Sequence, residues 1–222
     1  MNILHQYMVS KAFRSGLYDP LVTIAQLKQC GSFGLGEFEA LGGELIAWNG
    51  TFYRATADGK LTVAADSERL CFAQVSGFQP SQSLAAPAGL ANSTIGGFLR
   101  PTLGTDNTFF GLSVAGQFDT VQATAFHPQA KPYPTYAQML RDPPTFTFHH
   151  VAGRLVAYYA PPYVQDVGIP GYHFHFLADD LSGGGHVTSF VLSAGTITFE
   201  EFNDLRLTIP EYADFRKANL GS

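Results

Sequence analysis

The sequence predicts an α+β fold that is rich in β-structure and contains few, short helices. Nineteen of its 222 residues are phenylalanine and only 14% are charged, a balance that favours sheets packed around an apolar interior. Short runs of strand-forming residues alternate with turn signals such as Asn49-Gly50 and Asp58-Gly59, which is the pattern of β-hairpins. These two observations predict that the sheets form most of the structure and that helices contribute little.

The first elements have local signals of their own. Residues 23–30 predict a short helix that Thr23 can cap and that Gly31 can end. Residues 44–55 predict a hairpin that reverses at Asn49-Gly50, a dipeptide preferred in type I′ turns. The chain is therefore expected to enter a helix and then a meander of strands.

The remaining elements are predicted with the same rules. They are a strand at 60–63, a loop or a weak helix at 79–92, paired strands at 109–114 and 117–126 around Ala115-Gly116, a short helix at 135–141, a hairpin of 145–150 with 154–159 across Ala152-Gly153, a histidine-bearing hairpin, and a last strand at 196–202. We predict two subdomains. Residues 1–115 form an N-terminal β-sheet subdomain with a short helix, and residues 116–222 form a C-terminal β subdomain that carries the histidine hairpin.

The strongest functional signal is the segment at 171–176, Gly-Tyr-His-Phe-His-Phe. Alternate side chains of a strand share a face, so His173 and His175 point the same way. A turn at 179–182 would place His186 roughly opposite His175, and opposed residues have Cβ atoms about 4.5 to 5.5 Å apart. Three neutral imidazoles suit Zn²⁺ or another first-row divalent metal and leave coordination positions open. The spacing thus predicts a metal site at which chemistry can occur.

A simpler interpretation also fits part of this pattern. Two histidines that alternate with phenylalanines can belong to an ordinary half-exposed strand, and the third histidine favours the metal site over that alternative. The other four histidines do not form such a set, because His149 and His150 are adjacent and face opposite sides of a strand, while His5 and His127 stand alone.

Charge and composition exclude some classes of partner. The net charge is −5, and the thirteen Lys and Arg residues form no cluster, which argues against nucleic-acid binding. The N-terminal twenty residues lack the apolar core of a signal peptide, and no apolar run has the length of a membrane span. We therefore expect a cytoplasmic protein that binds neither membrane nor nucleic acid. Cys30 and Cys71 match no disulfide or metal pattern and are predicted to be buried thiols.

Several short stretches of the sequence carry a family resemblance. In order they are Gly16-Leu17-Tyr18-Asp19, Phe33-Gly34-Leu35-Gly36, residues 41–45 around Gly43-Glu44, Gly50-Thr51-Phe52-Tyr53, Lys131-Pro132-Tyr133-Pro134, and Val167-Gly168-Ile169-Pro170 leading into the histidine segment. With these stretches the chain resembles the α-acetolactate decarboxylases over nearly its whole length. The resemblance implies an acetolactate-decarboxylase-like fold, with mixed and antiparallel sheets and few short helices.

The resemblance also implies a function. Members of this family decarboxylate a 2-hydroxy-3-oxo acid to acetoin with a zinc ion on three histidines, which correspond to His173, His175 and His186. It implies a lyase that acts on a small carbonyl substrate through a metal-bound enediolate, with Glu44 as the candidate acid, and it implies a homodimer. Without the resemblance, the favoured interpretation of Glu44 is that it merely begins a strand with its carboxylate in water.

Two departures from the family leave alternatives open. Thr124 stands where the family carries an arginine that reaches the substrate carboxylate, and a hydroxyl lacks the charge and the bidentate fork of a guanidinium. The family's second glutamate lies in a C-terminal extension, and the sequence stops at Ser222. One alternative is a repurposed member that uses the metal to enolise, isomerise, cyclise or dehydrate a larger carbonyl substrate in a biosynthetic pathway. Another is a non-catalytic binding protein.

Overall fold

A computed structural model describes residues 2–221, which form two sheets and five short α-helices. The strands are β1 (Ile3–Tyr7), β2 (Val22–Thr23), β3 (Phe33–Phe38), β4 (Glu44–Trp48), β5 (Thr51–Ala55), β6 (Leu61–Val63), β7 (Arg69–Ser76), β8 (Gln82–Ala86), β9 (Leu90–Ala91), β10 (Phe109–Thr124), β11 (Thr145–Ala160), β12 (Gly171–Ala178), β13 (Gly184–Phe202) and β14 (Asp204–Thr208). The helices are α1 (Ser10–Arg14), α2 (Ile24–Lys28), α3 (Ile95–Leu103), α4 (Tyr136–Met139) and α5 (Ala213–Lys217).

The strand order confirms a β-rich fold with mixed and antiparallel sheets. The first sheet has the order β14-β1-β7-β3-β4-β5-β6, with β2 paired to β7, and its β1–β14 pair is parallel. The second sheet has the order β10-β11-β12-β13-β8, with β9 on β13. Strands β10 and β13 also pair with each other, so the four long strands β10 to β13 form a closed ring. The division into subdomains at 115/116 stays a prediction, and its outer limits, Met1 and Ser222, lie outside the described residues.

Local signals correctly predicted helices α2 and α4 and the first hairpin. Thr23 caps α2 in a capping box with Gln26, and Thr135 begins α4 in the same way. Asn49 and Gly50 have φ values of 49° and 78°, as a type I′ turn requires. Each helix is shorter than predicted, because a capping box defines a start while nothing comparable extends the last turn.

Two predicted turns are wrong. Ala115-Gly116 lies inside the continuous strand β10, and Ala152-Gly153 lies inside β11. Gly116 and Gly153 are directly paired, and a Cβ built on Gly116 would lie 2.1 Å from the carbonyl oxygen of Ala194. These glycines therefore permit close approach of neighbouring strands rather than a reversal of the chain.

The prediction of a loop or a weak helix at 79–92 is also wrong. This segment contains β8 and β9, which both pair with β13. The predicted last strand at 196–202 is the end of the nineteen-residue β13. Helices α1, α3 and α5 were not predicted, and α3 contains Gly96, Gly97 and Pro101, which are poor helix formers. In each case pairing or packing with distant residues overrides local propensity.

The two sheets share one apolar cluster, and this contact positions the candidate site. Leu35 and Ile46 of the first sheet pack with Val156 and Leu177 of the second. Burial of these side chains fixes β4 against the histidine hairpin.

Two sequence-based expectations concern the thiols and the membrane. Cys71 is buried as predicted, whereas Cys30 is half-buried, and both are free.

No helix between residues 2 and 221 has the length and apolar character needed to cross a bilayer.

Candidate metal centre

The three histidines predicted to bind a metal lie on one hairpin of the second sheet. β12 carries His173 and His175, and β13 carries His186. The strands pair so that His175 lies directly opposite His186, across a turn at 179–182. This is the register that the turn composition predicts.

One nitrogen of each ring points to the same place. Nε2 of His173 is 3.0 Å from Nδ1 of His186 and 3.2 Å from Nε2 of His175, and the third separation is 3.4 Å. Nitrogens that bind Zn²⁺ at about 2.0–2.1 Å in a tetrahedral arrangement lie about 3.4 Å apart. The donor set therefore fits a small divalent cation. Among residues 2–221 this is the only group of three or more His, Cys, Asp or Glu side chains with such convergence.

Burial keeps these nitrogens free of protons. Loss of water lowers the pKa of His173 and of His175 well below the usual value, and the neighbouring imidazoles lower it further. Burial also lowers the pKa of His186 to about 4. All three rings are thus neutral at neutral pH, which is the form that binds metals.

A backbone hydrogen bond orients one of the rings. Nδ1 of His175 lies 2.8 Å from the carbonyl oxygen of Leu45. Because a carbonyl can only accept, Nδ1 carries the proton and Nε2 presents its lone pair to the cluster. The donor lies on the second sheet and the acceptor on β4 of the first, so contact between the sheets fixes the tautomer. Nδ1 of His173 is buried and has no hydrogen-bond partner within residues 2–221.

Glu44 lies beside the histidines. It begins β4, as one sequence interpretation expected, but its side chain is fully buried instead of hydrated. Its Oε2 is 3.5 Å from Nε2 of His175, and neither carboxyl oxygen has a hydrogen-bond partner among the described residues. Its nearest carboxyl neighbour is on β3. A buried carboxyl group without a donor is costly unless it is protonated or faces a cation.

Sequence reasoning missed that neighbour, Glu37. It lies on β3 directly opposite Glu44, and it is 5% exposed. The signal was present, because Glu37 is the one charged residue in a fully buried strand, Phe-Gly-Leu-Gly-Glu-Phe. An acidic residue in such a run has to be explained by a partner or a function.

The two carboxyl groups hold at least one proton between them at neutral pH. Burial raises the pKa of Glu37 to about 8, although its interaction with the neighbouring Glu44 opposes the shift. Burial raises the pKa of Glu44 well above its usual range, and the charge of Glu37 raises it further. Two buried carboxylates side by side repel each other strongly, so the pair does not lose both protons easily.

A cavity of about 230 Å³ leads to this group of residues. Its polar lining includes Glu37, His173 and His186, and the rest is mainly aromatic and aliphatic. The remaining lining residues are Ser10, Phe13, Arg14, Phe72, Tyr136, Leu140 and Ile169. A cavity with an apolar wall and a few converging polar groups is typical of a small-molecule site.

Thr124 lies next to the metal centre but is engaged elsewhere. It is fully buried and pairs with His186 across β10 and β13. Its hydroxyl donates a 2.6 Å hydrogen bond to the carbonyl oxygen of Pro144. A catalytic role for Thr124 stays a prediction.

The fold and the site together define a β-rich protein with a three-histidine cluster and a buried acid beside a small-molecule cavity. The profile of the family described as alpha-acetolactate decarboxylase matches residues 4–222. The chain therefore belongs to the alpha-acetolactate decarboxylase family.

Individual relatives agree with this assignment. The chain is 33% identical to the alpha-acetolactate decarboxylase of Klebsiella aerogenes, with 99% of this chain and 84% of the relative covered. It is 30% identical to that of Bacillus subtilis strain 168, with 98% and 85% covered. The crystal structure of alpha-acetolactate decarboxylase from Bacillus subtilis strain 168 superimposes with a TM-score of 0.95 over 99% of this chain and 94% of the other. These homologues are decarboxylases, so the family is one of lyases.

Proposed function

We propose that the protein is a metal-dependent carbon–carbon lyase that decarboxylates a small 2-hydroxy-3-oxo acid, as its relatives named alpha-acetolactate decarboxylase do. The observation that carries the proposal is the convergence of three ring nitrogens within 3.4 Å of one another, beside two buried carboxyl groups. His173, His175 and His186 would hold the metal, with Zn²⁺ preferred and other first-row divalent ions as alternatives. When bound, such an ion supplies a Lewis acid for the ketone and hydroxyl oxygens of the substrate.

The carboxyl pair, Glu37 and Glu44, would supply the proton that the reaction consumes. In the reaction, the bond between the carboxylate carbon and C2 breaks, CO₂ leaves, and the electron pair is delocalised onto the ketone as an enediolate. A proton must then be added to C2, so one proton is consumed in each turnover. Glu44, directly or through a water, is the candidate donor, and Glu37 is the neighbour from which it can recover a proton, because the pair keeps one at neutral pH.

The apolar wall would exclude water from the reaction. Phe13, Phe72 and Ile169 line the cavity that His173 and His186 also line. Excluding water strengthens the electrostatic interactions that stabilise the enediolate. It also limits protonation to the groups that the chain itself provides.

An acetoin assay tests this proposal. Protein loaded with Zn²⁺ is incubated with racemic acetolactate, and acetoin is measured against a His173→Ala variant prepared in the same way. We expect the wild type to form acetoin at least about a hundredfold faster than the variant. Equal acetoin formation by the two proteins would exclude the proposed reaction.

One observation supports the repurposed enzyme as a second candidate. The hydroxyl of Thr124 is committed to Pro144, so it offers nothing to a carboxylate, and the cavity wall is mainly apolar. An apolar wall of this kind is compatible with a neutral carbonyl compound. A Thr124→Arg variant separates the two candidates, because a large gain in acetolactate turnover indicates a weakened decarboxylase, whereas continued absence of turnover favours another substrate.

Two further properties rest on the sequence. We propose a cytoplasmic location, as the sequence-based expectation has it, and a homodimer, as the family resemblance implies. Size-exclusion chromatography with light scattering tests the dimer.

A further inference from the structure

One permanently charged basic side chain lines the cavity. Of the residues that line it, only Arg14 carries a permanent positive charge. The remaining polar groups are the neutral histidines, Ser10, the tyrosine hydroxyl of Tyr136 and the acid Glu37. If the substrate is a carboxylate, as the proposed function requires, Arg14 is the group in this cavity with the charge to attract it.

The guanidinium of Arg14 is only partly engaged. Its Nη2 donates to the carbonyl oxygen of Gln165 at 3.1 Å and lies 3.4 Å from Oδ1 of Asp166. Its Nε and Nη1 make no hydrogen bond to any residue in the described part of the chain. The contact with Asp166 is long, and both side chains are about half exposed, so it contributes little. Two donors of the fork are thus available to a ligand.

The base of this side chain is held rigidly. Arg14 ends α1, and α1 is attached to the segment before β12 by hydrogen bonds from the backbone N–H of Ser10 to Val167 at 3.0 Å and of Lys11 to Asp166 at 3.1 Å. Phe13 packs against Phe72 and Tyr136 with ring centroids 5.5 and 5.2 Å apart. The arginine therefore starts from a fixed point on the cavity wall, and only its side-chain torsions have to adjust.

We propose that Arg14 binds the substrate's carboxylate and so determines specificity for an anionic substrate. The inference rests on the proposed function and adds to it the residue that recognises the acid. With the carboxylate on Arg14 and the ketone and hydroxyl oxygens toward the histidines, the bond that breaks lies between the two recognition points. The carboxylate then leaves as CO₂ from the guanidinium, which does not bind the neutral gas.

The same helix provides a matched control. Lys11 carries the same charge, contacts the same partner, Asp166, at 3.8 Å, and does not line the cavity. In the acetolactate assay we expect Arg14→Gln to raise KM about tenfold, the loss of one charged hydrogen bond to a half-exposed group. We expect Lys11→Gln to leave KM unchanged, and Arg14→Lys, which keeps the charge without the fork, to lie between.

A binding measurement makes the test independent of turnover. The probes are 2-hydroxyisobutyrate and its neutral amide, titrated calorimetrically into Zn²⁺-loaded protein. We expect Arg14→Gln to weaken binding of the acid about tenfold relative to the amide, whereas Lys11→Gln should not change that ratio.

The two measurements distinguish failure of this inference from failure of the proposed function. An unchanged ratio of acid to amide affinity in Arg14→Gln overturns the role of Arg14, whether or not the enzyme makes acetoin. Conversely, a wild type that forms no acetoin but shows the arginine-dependent preference for the acid keeps the role of Arg14 and rejects acetolactate as the substrate.

Discussion

The histidine hairpin and the carboxyl pair are the two halves of the candidate site, and burial affects them in opposite ways. It lowers the pKa of His173 and His175, so their rings lose protons and expose lone pairs. It raises the pKa of Glu37 and Glu44, so that pair keeps a proton. A single physical cause, the loss of water, thus prepares one half to bind a cation and the other half to donate a proton.

The two halves also differ in how far apart their residues lie in the sequence. The three histidines come from one hairpin within fourteen positions, His173 to His186. The carboxyl pair belongs to the other sheet, and it joins the histidines through Glu44 near His175 and through the bond from His175 to Leu45. The first half is specified locally, whereas the second depends on how the sheets pack.

The largest effect is expected from removal of a histidine. His173→Ala deletes one of three ligands, so metal affinity should fall on the order of a hundredfold or more, and activity should fall with it. Metal content after dialysis, measured by mass spectrometry, and acetoin formation report the two losses.

His149→Ala is the matched control, because His149 is exposed on β11 and outside the cluster. It should retain both metal and activity. A His173→Ala protein with full metal content would contradict the assignment of the hairpin as the metal-binding half.

The next effect concerns Glu44. Glu44→Gln keeps the shape of the side chain and removes its acid, so kcat should fall about 10²- to 10³-fold while metal content is preserved. Steady-state kinetics on protein of known metal content measure this change. Glu201→Gln, an exposed substitution of the same type on β13, should leave kcat unchanged, and an equal loss in both variants would remove the acid role.

Glu37 gives a prediction about stability and pH. The folded protein holds a proton on Glu37 up to about pH 8, whereas an unfolded glutamate loses it near pH 4.5. Stability from this group is therefore complete below about pH 4.5, declines as pH rises toward 8, and does not change further above that value. Glu37→Gln lacks this decline, so it should gain on the order of 1–3 kcal/mol relative to the wild type between pH 5.5 and 8.5.

Urea unfolding of metal-depleted wild type and variant at both pH values measures this difference, and metal depletion removes the separate pH dependence of ligand binding. Parallel behaviour of the two proteins would show that Glu37 does not hold the proton. The variant tests the carboxyl half alone, since the histidines are unchanged.

The sequence predicted features that depend on neighbouring residues well, and features that depend on the packing of distant residues poorly. The hairpin register, the Asn49-Gly50 turn and the capped helices follow from interactions among neighbouring residues. Gly116 and Gly153 were mistaken for turns because their function is close contact with strands that are distant in sequence. Glu37 had a sequence signal, an acid in an otherwise apolar run, but its partner Glu44 is defined only after β3 pairs with β4.

The smallest effect is expected at Thr124, where a substitution tests whether the hydroxyl stabilises the fold or contacts the substrate. Thr124→Val removes the hydroxyl that donates to Pro144 and leaves that carbonyl oxygen without its donor, so the free energy of unfolding should fall by about 1–2 kcal/mol. KM for acetolactate should not change, because the hydroxyl proton is already committed. Thr120→Val on the same strand, at a half-buried threonine whose hydroxyl has no protein partner among the described residues, should cost less. A rise in KM for Thr124→Val with unchanged stability would instead assign Thr124 to the substrate, and it would extend the site from the two halves described above to β10.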